Sequence, residues 1–261
     1  MRIACCQFGS GGNVENNLRH IRLGVENAAK AGAHLVCFHE CALCGYPPIE
    51  VRARDIDGET IADALEEISA LAAKHRIHIL LGTVLIEDER RYNSAVVYAP
   101  DGRLIARYDK KALWGWDCEN FEKGIRSGVF EIDGVRAGVR ICFDVRFPEL
   151  FRELYRNHTD LCVVLFSDTA EQPDAERYAI IKGHLVTRAA ENVMTVLSVN
   201  SISRFQTAPT AVIDHNGRTV SEACPDREDM IVYDFTPPAE DFGMKGRRSN
   251  SDELLKNENI G

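Results

Sequence analysis

The chain has 261 residues, with 31 Lys and Arg against 40 Asp and Glu, a net charge of −9. Hydrophobic residues make up 45% and charged residues 27%, the composition of an ordinary globular chain rather than a disordered or coiled-coil one. The acidic balance excludes a general affinity for nucleic acid or anionic membrane. In chain order, residues 3–8 read as a strand. Asn13 is placed to cap a helix whose apolar positions Leu18, Ile21, Val25 and Ala28 have helical spacing. Residues 35–38 form a short buried strand, followed by a Gly- and Pro-rich loop over 41–57. A second amphipathic helix runs over 59–75, with Ile61, Leu65, Ile68 and Leu71 on one face, and a strand follows over 77–86. Two further strands flank the turn Pro100-Asp101-Gly102. Residues 110–127 are polar and irregular and hold both tryptophans. Strand 135–141 ends at Cys142, a helix starts near Pro148, strand 161–166 precedes helix 174–191, and strands follow at 193–199, 210–213 and 230–233. The tail after about residue 236 is polar and expected to be extended.

No repeat, linker or low-complexity stretch interrupts residues 1–261, so a single α/β domain with helices covering mixed sheets is expected. The longest apolar runs, such as 161–166, fall far short of the ~20 residues of a membrane helix. Met1 to Cys6 leads straight into a strand pattern without a signal-peptide layout. A chain of this length needs no disulfide staples, and nine scattered cysteines fit a reducing, cytoplasmic setting.

Three motifs invite other chemistries. Cys37, Cys41 and Cys44 have the C-x3-C-x2-C spacing that would suit an iron–sulfur cluster, although Cys37 lies in an apolar run where a small core residue is the simpler reading. Gly9-Ser10-Gly11 before a helix resembles a phosphate-cradling turn, but Val14 stands where the third glycine belongs. His75 and His78 lack the H-E-x-x-H context of a zinc site, so no metal and no cofactor are expected.

Three chemistry-bearing residues follow strands: Glu40, Lys110 and Cys142. Open α/β sheets place functional groups at strand ends, where such residues converge. A thiol, a carboxylate and an ammonium together suit covalent acyl transfer. The sulfur attacks, the carboxylate moves protons and the ammonium stabilises the oxyanion. Singly, each has a plainer role as core, turn cap or solvated charge.

Their surroundings sharpen this. Arg107-Tyr108-Asp109-Lys110-Lys111-Ala112-Leu113 resembles the lysine motif of the nitrilase (carbon–nitrogen hydrolase) superfamily. Ile141-Cys142-Phe143-Asp144-Val145-Arg146-Phe147-Pro148-Glu149 closely resembles its cysteine motif. Glu40 sits at the family's glutamate position, Arg188-Ala189-Ala190-Glu191-Asn192 resembles its helix-end motif, and Asn17-Leu18 its first-helix signature. The resemblance covers essentially the whole chain. It implies a four-layer α-β-β-α sandwich of the nitrilase type that associates as a homodimer or higher homo-oligomer. It implies Glu40 as general base, Lys110 as oxyanion stabiliser, Cys142 as nucleophile and the Phe143 backbone N–H as second oxyanion donor. A second acid is implied before Gly124. Glu119 fits one register and Asp117 the other, and Glu119 is favoured.

Three places depart from the pattern: His39 replaces a common proline, Ala112 a histidine, and residues 167–173 are a shortened stretch lacking a tryptophan. Tyr46, Trp114, Trp116, Asp168 and Thr169 are candidates to line the pocket, with Asp168 suited to a cationic substrate tail if it is not simply a solvent-facing loop residue. The function implied is hydrolysis of a small linear amide or N-carbamoyl compound through a Cys142 thioester. A true nitrilase, an idle binding member and an iron–sulfur enzyme using Cys37, Cys41 and Cys44 are the alternatives.

Overall fold

The computed structural model describes residues 1–257. The first half runs β1 (Arg2–Gln7), α1 (Val14–Lys30), β2 (Leu35–Cys37), α2 (Gly58–His75), β3 (His78–Glu87), β4 (Arg90–Tyr98) and β5 (Leu104–Asp109). The second half runs α3 (Asp117–Asn120), β6 (Val129–Ile132), β7 (Val135–Ile141), α4 (Pro148–Arg156), β8 (Leu161–Phe166), β9 (Thr169–Ala170), α5 (Ala175–Asn192) and β10 (Thr195–Asn200). It closes with β11 (Phe205–Gln206), β12 (Ala211–Ile213), β13 (Thr219–Glu222), β14 (Asp229–Asp234) and α6 (Phe242–Asn257).

Two six-stranded sheets result, in the orders β14-β1-β2-β3-β4-β5 and β13-β12-β10-β8-β7-β6. Each has a central parallel trio, β1-β2-β3 and β7-β8-β10, flanked by antiparallel strands. Helical crossovers are what parallel neighbours require, and the apolar stripe of each helix must then lie on the sheet. Three apolar layers follow. Leu18, Ile21, Val25 and Ala28 of α1 and Ile61, Ile68 and Leu71 of α2 pack on one sheet. Ile181, Leu185 and Ala189 of α5, with Phe151 and Leu154 of α4, pack on the other. Between the sheets lie Ile3, Leu35, Leu80, Val97, Val139, Val163 and Leu197. The architecture is the expected α-β-β-α sandwich, and each fully buried aliphatic side chain contributes about 1.5–3 kcal/mol.

The helix starts follow local chemistry. Asn13 accepts from the Asn16 N–H at 2.9 Å, Asp57 from Thr60 at 2.9 Å and Asp174 from Arg177 at 2.9 Å. Strands β6, β9, β11 and β13 lie outside the expected set; they are two to four residues long, too short for periodicity to reveal.

The extended tail is a correction: residues 242–257 form α6. Met244 is its buried anchor, Arg247 donates to the carbonyls of Ala190 and His215 at 3.0 and 3.1 Å, and Tyr155 donates to Asp252 at 2.7 Å. Its polar sequence lacks an apolar stripe because mainly polar contacts to the preceding helices dock it.

The turn after β2 crosses β3 at Gly82, where a Cβ would lie 2.2 Å from the His39 carbonyl oxygen and 2.8 Å from the Glu40 Cα. Backbone on both sides leaves nothing flexible to yield. Gly82→Ala is expected to destabilise the fold by about 1–3 kcal/mol or more, read as a lower urea midpoint.

Candidate active site

The strand ends deliver three side chains to one place. Glu40 follows β2 in the first sheet, Lys110 follows edge strand β5 of the same sheet, and Cys142 follows β7 in the second. Lys110 Nζ donates to Glu40 Oε1 at 2.8 Å and to Asp117 Oδ2 at 2.7 Å, and all three side chains are fully buried. Glu40 is held from two further directions. Asn93 Nδ2 donates to Oε1 at 2.7 Å, and the Ser167 backbone N–H donates to Oε2 at 2.8 Å. Asp117 accepts from the Tyr46 hydroxyl at 2.7 Å and the Trp114 N–H at 3.1 Å. The Tyr46 ring faces the Lys110 ammonium at 5.8 Å.

Burial works against the Lys110 ammonium, but Glu40, Cys142, Tyr46 and Asp117 outweigh it and hold its proton well above the usual lysine range. Burial pushes the Glu40 carboxyl up; Lys110 opposes that shift and Asp117 adds to it. Burial and the Glu40 charge push the Cys142 thiol well up despite Lys110 nearby. The resting sulfur therefore carries its proton, and a base must remove it for attack.

Cys142 has φ +44°, a left-handed conformation rare outside glycine that turns the side chain off the end of β7. Asp144 clamps this turn: it accepts from the Ile141 N–H at 2.9 Å, from the Ala112 N–H at 2.8 Å and from the Tyr108 hydroxyl at 2.8 Å. The nucleophile turn is thus tied to the lysine loop. Lys111 points away and pairs with Glu153 at 2.8 Å, which also takes buried Arg140 at 3.0 Å.

Cys142 opens on a pocket of about 360 Å³ lined by Tyr46, Trp114, Trp116, Phe143, Asp168 and Thr169, with Arg146, Arg177 and Arg204 beside them. All the expected pocket residues line it. Asp168, however, is neither a free anion for a cationic tail nor a solvent-facing loop residue. It is 6% exposed and paired with Arg177 at 2.9 Å.

The second acid is a correction. Glu119 is exposed on α3, and Asp117 occupies the position beside Lys110. Two residues along a helix are rotated by about 200°, so the registers place opposite faces toward the lysine and only one acid reaches it. The Cys37, Cys41 and Cys44 reading also fails on geometry. Cys37 lies in the layer between the sheets, whereas Cys41 and Cys44 lie in the layer under α1 and α2. The Gly9–Gly11 turn is already filled: Asn17 accepts from the Gly11 N–H at 3.0 Å and donates to the Gly11 and Leu43 carbonyls. Sequence reasoning missed Asn93, Ser167 and Arg177. A polar Asn93-Ser94 pair directly before the apolar run 95–98 was the available signal for Asn93. Ser167 contributes a backbone N–H and leaves no such trace.

Two outcomes follow from this geometry. Asp117→Asn unbalances the buried ammonium and is expected to cost on the order of 3 kcal/mol in stability and most of the activity, whereas Glu119→Gln changes little. Thermal melts and turnover of the two variants compare them directly. His39 is fully buried with Nδ1 against the Glu40 carbonyl at 3.0 Å, and burial lowers its pKa to about 4. The unfolded chain takes up this proton near pH 6.5 and the folded one refuses it until about 4. Stability from this group is therefore lost as pH falls from 6.5 to 4, by up to about 3 kcal/mol at ~1.4 kcal/mol per unit. His39→Gln is expected to remove that contribution to the slope in chemical denaturation across the window.

The chain matches the family model "Carbon-nitrogen hydrolase" over residues 2–239, a span that ends before α6. It is 30% identical to the 2-oxoglutaramate amidase of Bacillus subtilis (strain 168) over 239 residues, 88% of each chain. It is 25% identical to an (R)-stereoselective amidase of Pseudomonas sp over 89% of this chain and 84% of that one. Among solved structures, a mutant amidase from Nesterenkonia sp. AN1 in complex with butyramide superposes with a TM-score of 0.85 at 21% identity, covering 98% of this chain and 96% of that one. Another mutant of that amidase, carrying acrylamide by Michael addition at its active-site cysteine, superposes with a TM-score of 0.83 at 23% identity over 98% and 99%. The shared sandwich and a family match spanning both sheets give one conclusion: the chain belongs to the carbon–nitrogen hydrolase family.

Proposed function

We propose that the protein hydrolyses the C–N bond of a small linear amide or N-carbamoyl compound through a thioester on Cys142, with Glu40, Lys110 and Cys142 as the catalytic triad. The observation that carries this reading is a cysteine lining a pocket at the same strand ends as a buried carboxylate whose position Lys110, Asn93 and Ser167 fix. Amidases among the relatives support the substrate class.

Glu40 takes the thiol proton as Cys142 Sγ attacks the carbonyl carbon. Lys110 Nζ and the Phe143 N–H stabilise the oxyanion. Glu40 passes its proton to the departing nitrogen, the C–N bond breaks, and ammonia or an amine leaves a thioester behind. Water then gives a proton to Glu40 and attacks the thioester. The acid departs and Sγ regains its proton. Asp117 acts on Lys110 and keeps the cation in place through both steps.

We assign the enzyme to a reducing cytoplasm, supported by its nine unpaired thiols. We assign it a homodimeric or larger assembly, as its family resemblance implies.

The test is ammonia release from a panel of small amides and N-carbamoyl compounds. Cys142→Ala is expected to abolish release with an unchanged melting profile. Lys110→Ala should lose ~10²-fold or more, the scale of a lost oxyanion donor. Glu40→Gln should accumulate no acyl-enzyme by mass spectrometry. Near wild-type release from the Cys142→Ala protein would overturn the mechanism.

A further inference from the structure

The two oxygens of Glu40 are not equivalent. Oε1 accepts from Lys110 Nζ at 2.8 Å and from Asn93 Nδ2 at 2.7 Å. Oε2 accepts from the Ser167 backbone N–H at 2.8 Å and from no other group among the described residues. A carboxylate oxygen has two lone-pair sites, so Oε1 is filled and Oε2 keeps one for an arriving proton. The oxygen able to act as base is anchored by a single main-chain donor, which lies past the end of β8 in the other sheet.

That donor is held from both sides. The Phe166–Ser167 peptide is trans, so its carbonyl points away from its N–H, and the carbonyl accepts from the Ser201 N–H at 3.3 Å. Asn200 secures the next residue. It is fully buried at the end of β10, in register with Phe166 of β8, and its side chain takes over where the ladder between those strands stops. Its Oδ1 accepts from the Asp168 N–H at 3.0 Å, while Nδ2 donates to the Asp168 carbonyl at 2.8 Å and the Ala208 carbonyl at 2.7 Å. The acceptor and both donors of this amide are thus spent on main chain. The Asp168 carbonyl also takes the Thr207 N–H at 2.9 Å, but the Asp168 N–H has no partner except Asn200 among the described residues. Without Asn200 that peptide is free to turn, and Ser167 turns with it.

We propose that Asn200 is a positioning residue for the general base: by pinning the backbone at Asp168 it keeps the Ser167 N–H on Glu40 Oε2 and leaves that oxygen's remaining lone pair for the thiol proton. This rests on the role of Glu40 in the reading above and adds which oxygen carries the proton. As Sγ bonds to the carbonyl carbon, the S–H bond breaks and its proton passes to Oε2. When the C–N bond breaks, the same proton passes from Oε2 to the departing nitrogen. An N–H on the carboxylate favours its ionised form, against burial, which pushes the Glu40 carboxyl up. The other groups whose charge acts on Glu40 or answers to it are Lys110, Asp117, Tyr46, Cys41 and Cys142, and an Asn200 variant retains them all. Loss of the N–H therefore makes Glu40 hold a proton to higher pH.

The pH profile of kcat/KM separates this role from a structural one. Asn200→Ala should move the acid limb to higher pH. On that limb kcat/KM should fall about 10-fold, the scale of one hydrogen bond to a charged group, and it should rejoin the wild-type curve where Glu40 is ionised. Asn200→Ser, whose hydroxyl can serve one of the freed groups, should show a smaller shift and takes the place of the alanine protein should that one not fold. Replacing the Ser167 amide by an ester deletes the N–H and keeps every side chain, and should reproduce the alanine shift. Loss by the same factor at every pH, or an unmoved limb in a folded variant, would overturn the proposal. Wild-type enzyme that releases no ammonia from the amide panel would count against the hydrolase reading instead. The pH dependence of Cys142 alkylation by iodoacetamide, followed by mass spectrometry, then carries the same test, with the same shift expected and an unmoved acid limb overturning it.

Discussion

The site depends on one buried ammonium. Withdrawing a lysine from water costs several kcal/mol even after relaxation, and only close, well-bonded partners offset that cost. Lys110 has two carboxylates at 2.7 and 2.8 Å, and each is bonded in turn to neutral donors: Asn93 and the Ser167 N–H on Glu40, Tyr46 and the Trp114 N–H on Asp117. No member can be left alone in this interior, so β2, β5 and the loop carrying α3 must arrive together. The packing around them follows from that requirement. Gly124 returns so close to β5 that a Cβ there would lie 1.9 Å from the Asp109 carbonyl oxygen, while its N–H donates to the Lys110 carbonyl at 2.9 Å. The loop folds back on itself at that point, and Asp117 comes to face a lysine only seven residues earlier in the chain.

The same cluster explains the state of the nucleophile. Burial raises the Cys142 thiol most, and with two carboxylates against one cation the charges add to that bias, so the thiol is held neutral at rest. In our reading this couples attack to proton transfer. The sulfur becomes nucleophilic only as Glu40 accepts its proton, and the ammonium is then free to favour charge growing on the substrate oxygen. A permanently ionised thiolate would need no such base. Asp144 provides the mechanical counterpart, tying the strained turn at Cys142 to Ala112 and Tyr108 on the lysine side.

Two parallel strand trios, each crossed by helices, set where this chemistry happens. Their ends bring residues from both sheets to one mouth, and the connections past those ends supply the pocket: residues 111–116 with aromatics, residues 167–177 with charge. The scaffold is held by three apolar layers, whereas the pocket wall is held by hydrogen bonds to Asp168 and Asn200. Composition can change in the wall without disturbing the layers.

Much of this was legible in the chain itself. Helical spacing of Leu18, Ile21, Val25 and Ala28, the cap at Asn13, and the unbroken apolar run at 161–166 each express a local rule, so the main helices and the parallel strands followed from the sequence. Glu40, Lys110 and Cys142 were visible because strand ends and motif chemistry agree there. What the tertiary structure alone decided were matters of facing and pairing. Asp117 rather than Glu119 meets the ammonium because one helical face turns inward, and spacing to a glycine does not say which. Asp168 is an ion-pair partner rather than an open anion because Arg177, nine residues on, lies across the pocket wall from it. The tail is a helix because Arg247 and Asp252 find polar partners on elements far earlier in the chain and Met244 is buried. Local sequence sets what a segment prefers; only the packed neighbours set which of its polar faces is buried, and with what partner.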